Sequence, residues 1–181
     1  MANTFLKSVV NFTKNVKTTG ALYQTSKKIE KEICRKINPE TKIVVEFGTG
    51  LGNITQRILQ QLPPDGILYS FEVNPDFVKD VKKMITDERL CLINDGAQNF
   101  SKYIDKEVDC IISSIPFTLI PKQLGVEIIQ KSYAVLKPGS FFSQVLYSSF
   151  HKKKFQKVFD NMEIIRVPSV PAGYVHHCQK L

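Results

Sequence analysis

The chain has 181 residues, 43% of them hydrophobic, which fits one soluble domain with a substantial core. No uninterrupted apolar run approaches the length that crosses a bilayer, and the N-terminus lacks the compact apolar block and small-residue cleavage site of a signal peptide. The formal charge of +8 is unevenly placed: the first 29 residues hold five lysines and no carboxylate, and His151-Lys152-Lys153-Lys154 with Lys157 forms a second basic cluster. Such patches attract polyanions, either nucleic acid or an anionic membrane surface. Cys34, Cys91, Cys110 and Cys178 form no Cys-x-x-Cys pair, and a reducing cytoplasm is the expected compartment. Cys91 and Cys110 fall inside predicted strands and read as buried free thiols. With only His151, His176 and His177, no zinc site is expected.

In chain order, Phe5, Leu6, Val9, Val10, Phe12 and Val16 follow a helical period over residues 3–17, with lysines mostly on the other faces. Such a helix either lies in a lipid interface or packs on the domain as a lid. A second helix runs through Ile29, Ile33 and Ile37, so residues 1–38 read as an N-terminal helical segment and 39–181 as the main domain. Lys42 to Glu46 is a β-branched run ending in a carboxylate. It leads into Gly48-Thr49-Gly50-Leu51-Gly52-Asn53 and then a helix carrying Ile54, Ile58, Leu59 and Leu62. Strand, glycine turn and helix form the nucleotide crevice of an open α/β sheet.

A dinucleotide loop needs its third glycine one place later than Gly52, where Asn53 stands, and no Gly-Lys-Ser/Thr marks a phosphate loop. Glu46 repels phosphate and attracts a cation. These residues favour a ligand with a ribose, an adenine and a positive charge, which describes S-adenosylmethionine. Gly66 to Glu72 is the second strand, and Glu72 stands where an acid takes ribose hydroxyls, roughly 20 residues past the loop. Asn74-Pro75 starts a helix with a cap and a first-turn proline. Leu90 to Asn94 is the third strand, ending at Asp95-Gly96-Ala97, and Asp95 could take the adenine amino group. Asp109 to Ser113 is the fourth strand, with Ser114-Ile115-Pro116-Phe117 as the loop at its end. Pro121 begins a helix through Val135, Lys137-Pro138-Gly139-Ser140 turns into a fifth strand from Phe141 to Leu146, and Met162–Val167 with Gly173–Cys178 closes the sheet as a hairpin.

Glu46-x-Gly48-x-Gly50-x-Gly52, Glu72, Asp95 and Asp109 to Phe117 resemble the class I S-adenosylmethionine-dependent methyltransferases over roughly residues 42–148. The resemblance implies an α/β, Rossmann-like sheet of seven strands. It is mostly parallel, with helices on both faces and an antiparallel hairpin at one edge. It implies a cofactor site that also draws on Asn53, Val73, Gly96, Ala97 and Ser113. The basic amphipathic start, Gly20-Ala21 before Ser26, and Val167 to Val175 resemble the bacterial phospholipid N-methyltransferases. Their acceptor is the ethanolamine headgroup, which would make the chain a peripheral protein of the inner membrane surface.

Amino-methylating relatives orient the target nitrogen with the loop after the fourth strand, so Ser114 and Phe117 are candidate catalytic residues by that resemblance. Serine in place of asparagine fits an adenine amino group poorly, since that group wants two fixed acceptors. Aromatic faces hold a methylated, cationic amine. Phe117, Tyr23 and Tyr174 are the candidates, followed by Tyr147, His176 and His177, with the two histidines on a predicted edge strand. The alternative is an RNA adenine methyltransferase. Gly50 to Thr55 looks like that family's loop and the basic charge suits RNA. Those enzymes add a helical C-terminal domain, however, whereas about sixty residues follow Phe117 here.

Overall fold

The computed structural model describes residues 25–147 and 152–181. The expected helix over residues 3–17, Tyr23 and His151 lie outside them. The Ser26 hydroxyl caps α1 (Lys27–Ile33), accepting from the Ile29 amide at 3.3 Å. Strand and helix then alternate through β1 (Ile43–Phe47), α2 (Asn53–Gln61), β2 (Ile67–Phe71), α3 (Pro75–Met84) and β3 (Leu90–Ile93). A 3₁₀ turn (Ala97–Lys102) leads to β4 (Val108–Ser113), α4 (Lys122–Val135) and β5 (Leu136–Leu146). Short α5 (Lys152–Gln156) precedes β6 (Asn161–Val167) and β7 (Gly173–Gln179).

The seven strands form one sheet in the order β3-β2-β1-β4-β5-β7-β6. β1 to β5 are parallel, and β7 runs antiparallel to both β5 and β6. Strand order reverses between β1 and β4, and the crevice outside the C-terminal ends of that pair is where this topology binds ligands. Central strands buried on both faces explain the unbroken apolar runs in the sequence. Val45, Phe47, Phe71, Ile111 and Phe142 serve one face, with Phe100 and Phe155 packed on it. Val44, Leu68, Cys110 and Ile112 serve the other, beneath Ile33 and Ile58.

Helix α1 docks through Ile29 and Ile33 and through a buried polar link. His177 Nδ1 lies 2.8 Å from the Ser143 hydroxyl and Nε2 lies 3.2 Å from Glu32 Oε1. Burial holds this imidazole below its ordinary range, against the pull of the Glu32 carboxylate.

Three expectations are corrected. β7 is an interior strand, because β6 covers it, so His176 and His177 are both buried and neither faces solvent. Cys91 is exposed, because short β3 is the edge of the sheet; Cys110, on central β4, is buried. Lys137 to Ser140 belongs to β5, which starts at Leu136 and runs 11 residues with a register shift opposite Val108 and Cys110.

Candidate active site

The loop between β1 and α2 is folded onto β2. The Gly48 and Thr49 amides both donate to the Phe71 carbonyl, at 2.9 and 3.3 Å, and the Gly52 amide donates to the Thr49 carbonyl at 2.9 Å. Gly48 (φ 86°) lets the post-β4 loop approach, since a Cβ there would lie 3.0 Å from Ser114 Oγ. Gly50 (φ 54°) instead has none of the described residues within 4 Å of where its Cβ would be. That is bare backbone presented to a ligand. Gly52 is the N-terminal cap of α2 and Asn53 its first residue.

Two carboxylates flank this loop from below. Glu72 is buried at the end of β2. Its Oε2 accepts from the Gly50 amide at 2.9 Å and its Oε1 from the Asn74 amide at 2.8 Å. Burial raises its pKa although the Asn74, Gly50 and Val73 amides pull the other way. Val73 beside it is half-buried. Glu46 is 1% exposed. Its Oε2 accepts from Thr55 Oγ1 at 2.7 Å and Ser70 Oγ at 2.5 Å, while Oε1 has no partner among the described residues. Burial lifts this carboxyl to about 7; the two hydroxyls oppose the rise and the Glu72 charge adds to it. An orphaned buried carboxylate oxygen is costly unless something else meets it.

Asp95 follows β3. It accepts from the Gly96 amide (2.7 Å), Asn99 Nδ2 (2.9 Å) and the Tyr103 hydroxyl (2.9 Å). Burial works against ionisation, but these donors outweigh it and hold the carboxyl below its ordinary value. Gly96 caps the 3₁₀ turn that begins at Ala97. Tyr103 is a site neighbour missing from the sequence reading. Its ring meets Phe71 edge-on at 5.6 Å and is 46% exposed. The sequence signal was an aromatic eight residues beyond Asp95.

Ser113 ends β4 with its hydroxyl buried and without a partner among the described residues. In register beside it on β5 lies Gln144, also fully buried. Gln144 Nε2 donates to the Ile115 carbonyl at 3.1 Å and to the Val145 carbonyl at 2.6 Å, and its Oε1 has no partner among the described residues. Gln144 therefore pins the post-β4 loop. It too went unnoticed, although a glutamine inside Phe-Phe-Ser-Gln-Val-Leu is a legible exception to the apolar pattern.

Ser114 turns back, its hydroxyl donating to the Gly48 carbonyl at 2.8 Å. Phe117 is 1% exposed and packs edge-on against Phe155 at 5.5 Å, so it offers no face to a headgroup here and serves the core. Tyr174, half-buried at the start of β7, and exposed Tyr147 stand at the same edge of the sheet. The described structure thus gathers Glu46, Glu72, Asp95, the glycine loop, Ser113 and Ser114 along one edge and leaves Phe117 inside.

Residues 44–139 match the family described as methyltransferase domain. The chain is 25% identical over 142 residues to the ornithine lipid N-methyltransferase of Singulisphaera acidiphila, covering 73% of each. Among solved structures it superposes on the N-methyltransferase NodS of Bradyrhizobium japonicum, crystallised with S-adenosyl-L-homocysteine, at a TM-score of 0.70. That match has 10% identity and covers 83% and 85% of the two chains. An rRNA methylase from Streptococcus thermophilus superposes at 0.65 with 17% identity, over 83% of this chain and 93% of that one. At these identities the structural matches establish the fold.

Proposed function

Because the chain belongs to the methyltransferase domain family and so takes its methyl group from S-adenosylmethionine, we propose that its acceptor is the amine of a lipid headgroup, ethanolamine phospholipid first. The residues present fit the methyl donor. Gly50 leaves open backbone, Glu72 and Asp95 offer acceptors for ribose and adenine, and the orphaned Glu46 oxygen suits a cation. The donor supplies a methyl on a sulfonium, and the protein must bring a nitrogen lone pair in line with it.

One observation carries the choice of acceptor: the side chain that begins the post-β4 loop is a serine whose hydroxyl donates to the Gly48 carbonyl. An adenine amino group is a weak nucleophile that wants two fixed acceptors to lend it electron density, and the single Ser114 oxygen offers one side-chain acceptor at most. An aliphatic amine needs only to be neutral. Desolvation lowers the pKa of an ammonium, and the apolar side chain of half-buried Ile115 contributes to it. Holding the amine in attack geometry supplies much of the remaining acceleration. Transfer forms the N–C bond, breaks the C–S bond and leaves the nitrogen to release its proton to solvent. The curated relative that methylates an amine-bearing lipid agrees with this reading.

The test is transfer of radiolabel from the methyl donor to phosphatidylethanolamine compared with ribosomal RNA. Labelled lipid and unlabelled RNA are expected. Label in RNA alone would replace this acceptor with adenine.

A further inference from the structure

The edge of the sheet that carries the glycine loop is split in charge. Its β1–β3 half bears Glu46, Glu72 and Asp95. Its other half includes the described residues that follow β4, β5 and β6, and 114–126, 147, 153–156 and 168–175 contain no carboxylate but carry Lys122, Lys153 and Lys154. Lys122 and Lys153 are exposed. Helix α5 is held at this rim because Phe155 meets Phe117 of the post-β4 loop at 5.5 Å and His176 at 5.9 Å.

The same three segments expose large apolar side chains: Leu119 at 49%, Tyr147 at 47% and Val170 at 96%. Single exposed hydrophobics are ordinary, but these share one rim with the lysines. Val170 is also presented by a built turn. The Ser169 hydroxyl donates to the Pro171 carbonyl at 2.7 Å and accepts from the Gly173 amide at 3.2 Å, with Pro168 and Pro171 on either side. A turn that fixes a fully exposed valine at its tip gains nothing from water.

We propose that this rim is a second docking surface, independent of the N-terminal segment, that seats on an anionic lipid bilayer. Leu119, Tyr147 and Val170 would enter the interface and the lysines would lie at the headgroups. Aliphatic tips among lysines match a lipid interface, where apolar burial and attraction to anionic lipid add. RNA would meet the lysines but offers little to Val170. Docked this way, the protein turns its active edge to the membrane. The inference rests on the lipid reading for the purpose of that orientation.

The chain contains no tryptophan, so Val170→Trp places one fluorophore at the tip. Leu181→Trp, 71% exposed beyond the end of β7 at the opposite edge, is the control. With vesicles of equal parts phosphatidylcholine and phosphatidylglycerol, emission from the Val170→Trp protein should shift to the blue and that from the control should not. Lys122→Glu with Lys153→Glu should weaken vesicle binding by at least tenfold, since each lysine near an anionic surface contributes roughly fivefold. Vesicle binding without a shift at position 170 would overturn the proposal, as would a shift produced by single-stranded RNA and not by vesicles. Methylation of ethanolamine lipid in detergent micelles tests the acceptor separately. Its absence, with the blue shift present, removes the acceptor and leaves the docking surface standing.

Discussion

Glu46→Gln is the most informative single change, because its effect has a calculable pH dependence. Burial raises the Glu46 carboxyl from 4.5 to about 7. A carboxyl that holds its proton more tightly folded than unfolded opposes folding wherever it must ionise. Its cost is therefore absent below the unfolded value, grows as pH rises, and is complete above the folded value. The full span corresponds to about 3 kcal/mol, most of which develops between about pH 5 and about pH 8. Glutamine keeps the shape, and its carbonyl can still accept from Thr55 and Ser70. Urea unfolding of both proteins across that range should show the variant gaining on wild type by roughly this amount. The raised Glu72 and the lowered Asp95 and Asp109 occur in both proteins and cancel in the difference. A cation bound beside Glu46 favours its ionised form, so affinity for adenosylhomocysteine should rise with pH in wild type and stay flat in the variant. A stability difference that does not move with pH would refute the reasoning, because Glu46 would not be titrating in that range.

Gly50→Val meets no clash but must hold a valine at φ 54°, and Glu72→Ala frees the Gly50 amide; each should weaken adenosylhomocysteine binding at least tenfold by calorimetry. Gln144→Leu removes an orphaned oxygen worth about 1–3 kcal/mol and loses two hydrogen bonds of about 1 kcal/mol each, so chemical denaturation should place its stability within about 1 kcal/mol of wild type. Its methyl transfer should nevertheless fall at least tenfold with adenosylhomocysteine affinity intact, because the Ile115 carbonyl is no longer held; loss of stability and activity together would mark Gln144 as merely structural. A thiol reagent should label Cys91 alone among the four cysteines of the native protein, since burial keeps Cys34, Cys110 and Cys178 protonated and covered, Cys110 at about 12.

Local rules made β1, the glycine loop, α2 and α3 legible. β-branched residues, alternate glycines and the Asn74-Pro75 cap each act within a few residues, and the Asn74 carboxamide does accept from Asp76 at 3.0 Å. What the sequence did not reveal depends on which strand lies beside which. His176 and His177 looked like edge residues because β7 ends the chain's hairpin, yet β7 inserts between β5 and β6. Phe117 looked like a site residue because of its loop, yet α4 and α5 close over it, Gly125 making room for its ring at 3.3 Å and Phe155 packing on it. Cys91 looked buried because its strand is apolar, yet the sheet stops there.

Polar groups at the ends of the strands bear on where the chemistry lies without reference to any motif. At the N-terminal edge, Asp109 accepts from the Lys42 and Ile43 amides and from Lys137, and Asp65 pairs with Lys42. Asp160 accepts from Tyr133 and the Leu181 amide. Those carboxylates tie neighbouring segments together. At the C-terminal edge Glu72 and Asp95 are likewise paired, but Glu46 Oε1, Ser113 Oγ and Gln144 Oε1 are buried without partners among the described residues, on β1, β4 and β5. Each would be cheaper as an apolar side chain of the same size. Three such costs on neighbouring strands, at the point where strand order reverses, are hard to maintain for packing alone. They make physical sense if a bound molecule completes them, with the cationic donor at Glu46 and an amine acceptor at Ser113 and Gln144.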